Sequence, residues 1–328
     1  MTKSFTQILG CRYPIVQGPM LWLTDATFVA AVSNAGALGV LGFNAGQTEP
    51  TRSLTEILER TKNEIRKVKT LTDNPFGLNL ALAPDPDKDP FTGPTIDLMI
   101  EEQVPVAVVV GPVIPHWFNK LKSNGIKIIY RALTPTITNT KQAVAAGADV
   151  IVATGFDEGG TVPTKVVGTF TILPMIVDAA GDIPVLACGG IADTRAVRAS
   201  FALGASGIFI GTALLAAEES RLASNIKQQL ILLNADDMLL YRADPAFYRS
   251  IPGKLPNHLV AMNAQGATGT EIFAAADRYN GMREGMLFGN LDKGYASFGL
   301  GISQIHAIEP AQKIIARLAT GIPEHVKN

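Results

Sequence analysis

Pro184-Val-Leu-Ala-Cys-Gly-Gly-Ile-Ala-Asp193 and Gly207-Ile-Phe-Ile-Gly-Thr212 decide the fold. Each is an apolar run that stops abruptly in small residues and passes at once into helix-like sequence. Strand ends of this kind leave backbone N–H groups uncovered, and a helix start behind them adds positive dipole, which suits a phosphate dianion. Counted along the chain, they are the seventh and eighth strands. In a (β/α)8 barrel the loops after those two strands are the usual phosphate site. The pair therefore predicts a TIM barrel that holds a phosphorylated cofactor.

Working outward, strand-length apolar runs fall at 14–17, 38–41, 76–82, 106–110, 127–130, 150–153, 185–188 and 207–210. Several are apolar at consecutive positions, as strands covered on both faces are. Amphipathic stretches at 53–69, 138–146 and 194–203 lie between them, and Gly125, Gly147 and Gly204 sit where helix C-caps belong. Eight strand–helix units fit a closed barrel, and no G-x-G-x-x-G supports a Rossmann sheet. After the eighth strand the alternation is lost. The sequence predicts a mostly helical insertion at 218–290 over one barrel mouth, with 1–217 and 291–328 forming the barrel and an amphipathic helix at 295–318 completing its wall. The Pro- and Asp-rich stretch 83–94 reads as a surface loop.

The chain has 328 residues, 47% of them hydrophobic, and a net charge of −1, which supplies no basic stripe for nucleic acid. The basic run 62–69 carries Glu64 and reads as a solvated helix face. Two cysteines, Cys11 and Cys188, form neither a disulfide framework nor a metal-type spacing. The start MTKSFTQILG has no apolar leader core, and no run is long enough for a membrane span. The expectation is a cytoplasmic protein with no nucleic-acid, membrane or metal partner.

Barrel active sites lie at the C-terminal ends of the strands. That rule selects Gln17-Gly-Pro-Met20, Gly42-Phe-Asn44, Asn79, Gly111, Arg131, residues 154–161, Cys188-Gly-Gly190 and Gly211-Thr212. The set is rich in glycine and amides and poor in acids and bases. It suits a flat ring lying against backbone, and FMN supplies one phosphate and one flat ring. The loop 155–163 reads either as a glycine cradle with Thr161 facing the substrate or as a plain turn. Asp193 reads as a helix cap, Cys188 as a small core residue, and Arg195 as a phosphate ligand or a surface cation. Of the four histidines, His116 starts a helix, His306 falls in the last helix, His325 in the tail, and His258 is placed to face the mouth. No nucleophile–base arrangement emerges.

At these residues the chain resembles the nitronate monooxygenase (formerly 2-nitropropane dioxygenase) family and its close relative, the FMN-dependent enoyl-acyl-carrier-protein reductases. The motifs are Pro-Ile-Val-Gln-Gly-Pro-Met20, Ala31-Val-Ser-Asn-Ala-Gly36, Leu71-Thr-Asp-Asn-Pro-Phe-Gly-Leu-Asn79, Gly189-Gly-Ile-Ala-Asp193 and Gly211-Thr212, with further likeness at 253–257 and 289–301. The resemblance implies an FMN-bearing TIM barrel. Gly18, Met20 and Asn79 would line the flavin, with Thr154, Gly159 and Gly160 near the ring. Gly189, Gly190, Ile210, Gly211 and Thr212 would hold the phosphate. The family's sixth-strand loop typically reads Ala-Gly-Gly-His, whereas here it reads Glu158-Gly-Gly-Thr161. A second family histidine, at the end of the fourth strand, is replaced by Val110-Gly111. A threonine hydroxyl bonds but is no base near neutral pH.

The expected function is an FMN-dependent oxidoreductase that oxidises NAD(P)H or a nitronate-type substrate, with Thr161 polarising the substrate. An enoyl-thioester reductase, with Met238, Leu239 and Met262 lining a tunnel, is the first alternative. A flavin-binding protein without turnover is the second. The expected partner is a small-molecule substrate, and a homodimer is left open.

Overall fold

The computed structural model describes residues 4–326; residues 1–3 and 327–328, at the two ends of the expected barrel unit, lie outside it, as does the side chain of His325. Eight parallel strands form the barrel: β1 (Ile15–Gln17), β2 (Gly39–Leu41), β3 (Phe76–Ala81), β4 (Val106–Val110), β5 (Lys127–Arg131), β6 (Val150–Thr154), β8 (Val185–Cys188) and β9 (Gly207–Ile210). The short strand β7 (Thr161–Val162) lies outside the barrel, so β8 and β9 are its seventh and eighth staves. β1 pairs with β9, and the bridge Val16–Leu38 closes the circle onto β2. The fold is a TIM barrel.

Period-2 alternation divides each strand between two cores. Val16, Val40, Val106, Val108, Ile129, Val150, Val152, Leu186 and Phe209 fill the interior, and the helix Phe5–Leu9 plugs the lower end with Phe5 and Leu9. Ile15, Ala107, Val109, Ile128, Ile151 and Ile208 face the surrounding helices. That alternation carries Asn79, Val110, Arg131, Thr154 and Cys188 to the upper, C-terminal rim of the interior.

Helix boundaries follow local chemistry. Asp25 caps Ala26–Asn34 by accepting from Phe28 N at 2.8 Å, and Thr136 with Asn139 forms a capping box on Ile137–Ala146. Gly147 ends that helix at φ +95°. The run 62–69 lies on the helix Leu54–Leu71, where Lys62 and Arg66 pair with Glu101 and Glu102.

Three segments depart from expectation. The stretch 218–290 holds helices Ser224–Leu230, Lys254–Ala264 and Gly269–Ala275, but also an antiparallel hairpin, β10 (Leu239–Ala243) and β11 (Ala246–Ser250), turning at Asp244-Pro245. Tyr241 and Ala243 point inward while Leu240 and Arg242 point out, a strand alternation hidden by its arginines. The tail is not one helix from 295 to 318. It is extended, then a 3-10 turn Leu300–Gln304, then a helix only over Ala311–Ala319, so His306 lies in the connection between them. The segment 83–94 contains the turn Pro86–Lys88 and the start of the helix Thr92–Glu101, and its Ala83, Asp89 and Phe91 line the central cavity rather than only facing solvent. Among the described residues no helix is long and apolar enough to cross a membrane.

Candidate active site

A cavity of about 880 Å³ opens at the C-terminal mouth, in the upper range for small-molecule sites. Gly18, Met20, Asn79, Gly159, Gly160, Thr161, Gly189, Gly190, Ile210, Gly211 and Thr212 all line it. Thr154 does not. Its register partner is Cys188, and it is 1% exposed at the strand end, covered from the cavity.

Two glycine ends meet on one side of this cavity. Gly189 has φ +107°, and a Cβ there would come within 2.7 Å of Thr169 Oγ1, so backbone alone fits. A Cβ on Gly301 would lie 3.0 Å from the Gly190 carbonyl carbon, so the 299–301 segment packs directly against the Gly189-Gly190 turn. Thr212 Oγ1 accepts from Gly299 N at 2.8 Å, which leaves the hydroxyl proton to donate elsewhere. Asp193 does cap the helix Thr194–Ala202, accepting from Arg195 N and Ala196 N at 3.0 Å. Its other oxygen holds the exposed Arg195 at 2.5 Å, so Arg195 is a surface cation and that helix start is already satisfied.

The loop 155–163 is held at several points. Asp157 accepts from Thr169 N at 2.5 Å, and its carbonyl accepts from Leu300 N at 2.8 Å. A Cβ on Gly159 would sit 2.6 Å from Gly299 N, so the loop and the 298–299 backbone touch. Thr161 then pairs with Tyr248 of β11, and its Oγ1 lies 3.5 Å from Tyr248 Oη, at the outer limit of a hydrogen bond. The loop is a built platform, not a plain turn.

Below it lies a cluster that the sequence reading passed over. Glu158 Oε2 pairs with Arg131 Nη2 at 2.5 Å and lies 3.9 Å from Cys188 Sγ. The Glu158 carbonyl accepts from Arg249 Nη1 at 2.6 Å, and Arg249 is held over the Phe156 ring. Both side chains of the pair are nearly covered, and Glu158 Oε1 is buried with no hydrogen-bond partner. Burial pushes the Glu158 carboxyl up to about 7 against the pull of Arg131 and Arg249. The Cys188 thiol is pushed up to about 12 by burial and by Glu158, which keeps it a protonated floor residue.

A carboxyl raised by folding stabilises the fold below its unfolded pKa, and that contribution is lost as pH rises through about 7. Between about pH 5 and pH 8 the wild type should therefore lose stability relative to Glu158→Gln, by on the order of 2 kcal/mol. Parallel pH profiles of the thermal midpoint in the two proteins would contradict this.

His258 is exposed on the helix Lys254–Ala264, and neither it nor Met238, Leu239 or Met262 lines the cavity. Tyr279, Met282 and Met286 supply the apolar cover instead. Met286 lies in a π-turn, Arg283–Leu287, whose phase an ordinary helical pattern does not give. Both positions where the family carries histidine do reach the cavity: Thr161 and Val110 line it. Gly111 has no room for a side chain, since a Cβ would meet Leu82 O at 2.8 Å.

The family profile described as nitronate monooxygenase matches residues 2–321. The chain belongs to the nitronate monooxygenase family. The nitronate monooxygenase of Pseudomonas aeruginosa is 32% identical over 261 residues, covering 67% of this chain and 71% of that protein. The (3aS,4S,5R,7aS)-5-hydroxy-7a-methyl-1-oxo-octahydro-1H-indene-4-carboxyl-CoA dehydrogenase of Rhodococcus jostii is 34% identical over 245 residues, 74% of this chain. The match takes in 63% of that relative, so the chain spans less than two thirds of its length. Among solved structures, FabK from Thermotoga maritima superposes with a TM-score of 0.85 at 27% identity, covering 100% of this chain and 98% of that one.

Proposed function

We infer that this chain is an FMN-dependent oxidoreductase that takes electrons from NADH or NADPH and passes them to a small-molecule acceptor. The observation that carries this reading is the meeting, in one cavity, of two glycine strand ends with the buried, unpartnered Asn79 Oδ1. An orphaned acceptor fits a ring N–H, and a side-chain-free cradle fits a phosphate. Gly189, Gly190, Ile210, Gly211 and Thr212 would hold the phosphate; Gly18, Met20, Asn79, Gly159 and Gly160 would line the ring. When bound, the flavin supplies hydride acceptance and two-electron storage.

The chain's own residues do the rest. Asn79 would orient the ring by accepting a hydrogen bond, and the side-chain-free Gly159-Gly160 would admit it close to backbone. Tyr279, Met282 and Met286 would help to keep water out of the cavity. Thr161 meets the substrate and polarises it through its hydroxyl. Thr161→Val keeps the shape and removes one hydrogen bond worth about 0.5–1.5 kcal/mol, so a rate loss of roughly two- to tenfold is expected. Unchanged kinetics with every acceptor tried would remove Thr161 from the reaction.

With Thr161 and Val110 at the family's histidine positions, no imidazole stands at the reacting face. Alkyl nitronate turnover is therefore expected to be slow beside NAD(P)H-driven reduction of an acceptor such as a quinone. Steady-state assays of both on one preparation test this, and efficient nitronate oxidation without nicotinamide would overturn it. An acyl-thioester acceptor is the second reading, favoured by a cavity large enough for more than the cofactor and covered by Met282 and Met286. Reoxidation of the reduced enzyme by an enoyl-CoA distinguishes it from a quinone reductase.

A further inference from the structure

Arg131, Glu158 and Cys188 are not among the residues assigned above to the phosphate or the ring, yet all three line the cavity. A structural ion pair satisfies both carboxylate oxygens; this one leaves Oε1 buried and unbonded. Relative to the family's Ala-Gly-Gly-His loop, this chain gains a carboxyl at 158 as it loses the imidazole at 161. Resting on the FMN reading above, we propose that Glu158 is the redox-linked proton acceptor of the site. It is a carboxylate paired with Arg131 while the flavin is oxidised, and it takes up one proton from solvent when two electrons enter the ring.

The electrostatics follow from the surroundings. Arg131 from β5 and Arg249 from β11 are the cations beside Glu158, and Cys188 from β8 is a neutral thiol. Asp157, its neighbour in the loop, has its carboxylate engaged by Thr169 N, and the 297–301 segment brings no ionisable group. In the oxidised state two cations therefore hold one carboxylate in a covered site. Reduction by a nicotinamide delivers two electrons and one proton to the ring and leaves one net negative charge there. In a site of low dielectric that charge disfavours a second anion, so the free Oε1 binds a proton. Two electrons and two protons have then entered the protein. On reoxidation the proton is released from Glu158, and Arg131 recaptures the carboxylate.

Each proton coupled to a two-electron couple shifts its potential by about 30 mV per pH unit, the equivalent of a tenfold change in equilibrium constant. The flavin midpoint potential, measured by dye-equilibrated dithionite titration of the holoenzyme, is expected to fall more steeply with pH above about pH 7 in the wild type than in Glu158→Gln. The expected difference is about 30 mV per pH unit. Equal slopes would overturn the proposal. If the glutamine variant does not retain flavin, the wild type decides alone. Its reduced-minus-oxidised infrared spectrum should show a carboxyl C=O band that shifts on ¹³C-glutamate labelling, since Glu158 is the one glutamate among the described lining residues. No such band would likewise overturn it. A protein that stays colourless after incubation with FMN would sink the cofactor reading itself, and the visible spectrum shows this before any potential is measured.

Discussion

Gly211→Asp is expected to yield a folded chain that does not retain FMN, if the cavity holds the phosphate where proposed. A Cβ at Gly211 meets only Met20 Sδ, at 4.0 Å, and the backbone there is outside the left-handed region, so the new side chain has room. The cost is electrostatic. Like unit charges about 4 Å apart at an effective dielectric of about 20 repel by about 4 kcal/mol, roughly a thousandfold in affinity, and a phosphate dianion doubles the opposing charge. Flavin released by acid denaturation gives the occupancy, and circular dichroism checks the fold. Full occupancy in a folded variant would move the phosphate elsewhere in the cavity.

The second large effect is on stability. Arg131→Met preserves much of the side-chain volume but leaves Glu158 without its ion-pair partner in a covered site. Breaking a buried pair from one side typically costs about 3–5 kcal/mol, part of it relieved here by proton uptake on Glu158. At pH 8 a loss of about 3 kcal/mol is expected in urea unfolding. The double replacement Arg131→Met with Glu158→Gln should recover most of it, because the carboxylate that the single change leaves unpaired is then gone. A single-variant loss below about 1 kcal/mol, or no recovery in the double variant, would show that solvent reaches the pair.

The barrel was legible because its determinants are local. Apolar runs such as 106–110 and 150–153 need only be counted, and Gly147 and Gly204 mark helix ends by a conformation that other residues resist. The turn at Gly189-Gly190 shares that left-handed conformation, whereas Gly211 stands out only as a small residue that ends an apolar run. What stayed hidden depends on closure. Arg131 and Glu158 are 27 residues apart and meet only because β5 and β6 are neighbours in the barrel, with Glu158 carried back over its floor. The contacts of Gly299 with Gly159 and of Gly301 with Gly190 come from the far end of the chain. The hairpin 239–250 was misread because Arg242 and Arg249, on one face of the hairpin, interrupt the apolar pattern, although Arg249 is buried. Met282 and Met286 cover the site where Met238 and Met262 were expected, since sequence hydrophobicity carries no direction.

Anaerobic mixing of the flavin-loaded protein with NADH and, separately, NADPH tests the central claim most directly. The visible flavin band should bleach with at least one of the two nicotinamides, stoichiometrically with one FMN per chain, and return when an acceptor is added. A flavin that dithionite reduces but neither nicotinamide does would contradict the account.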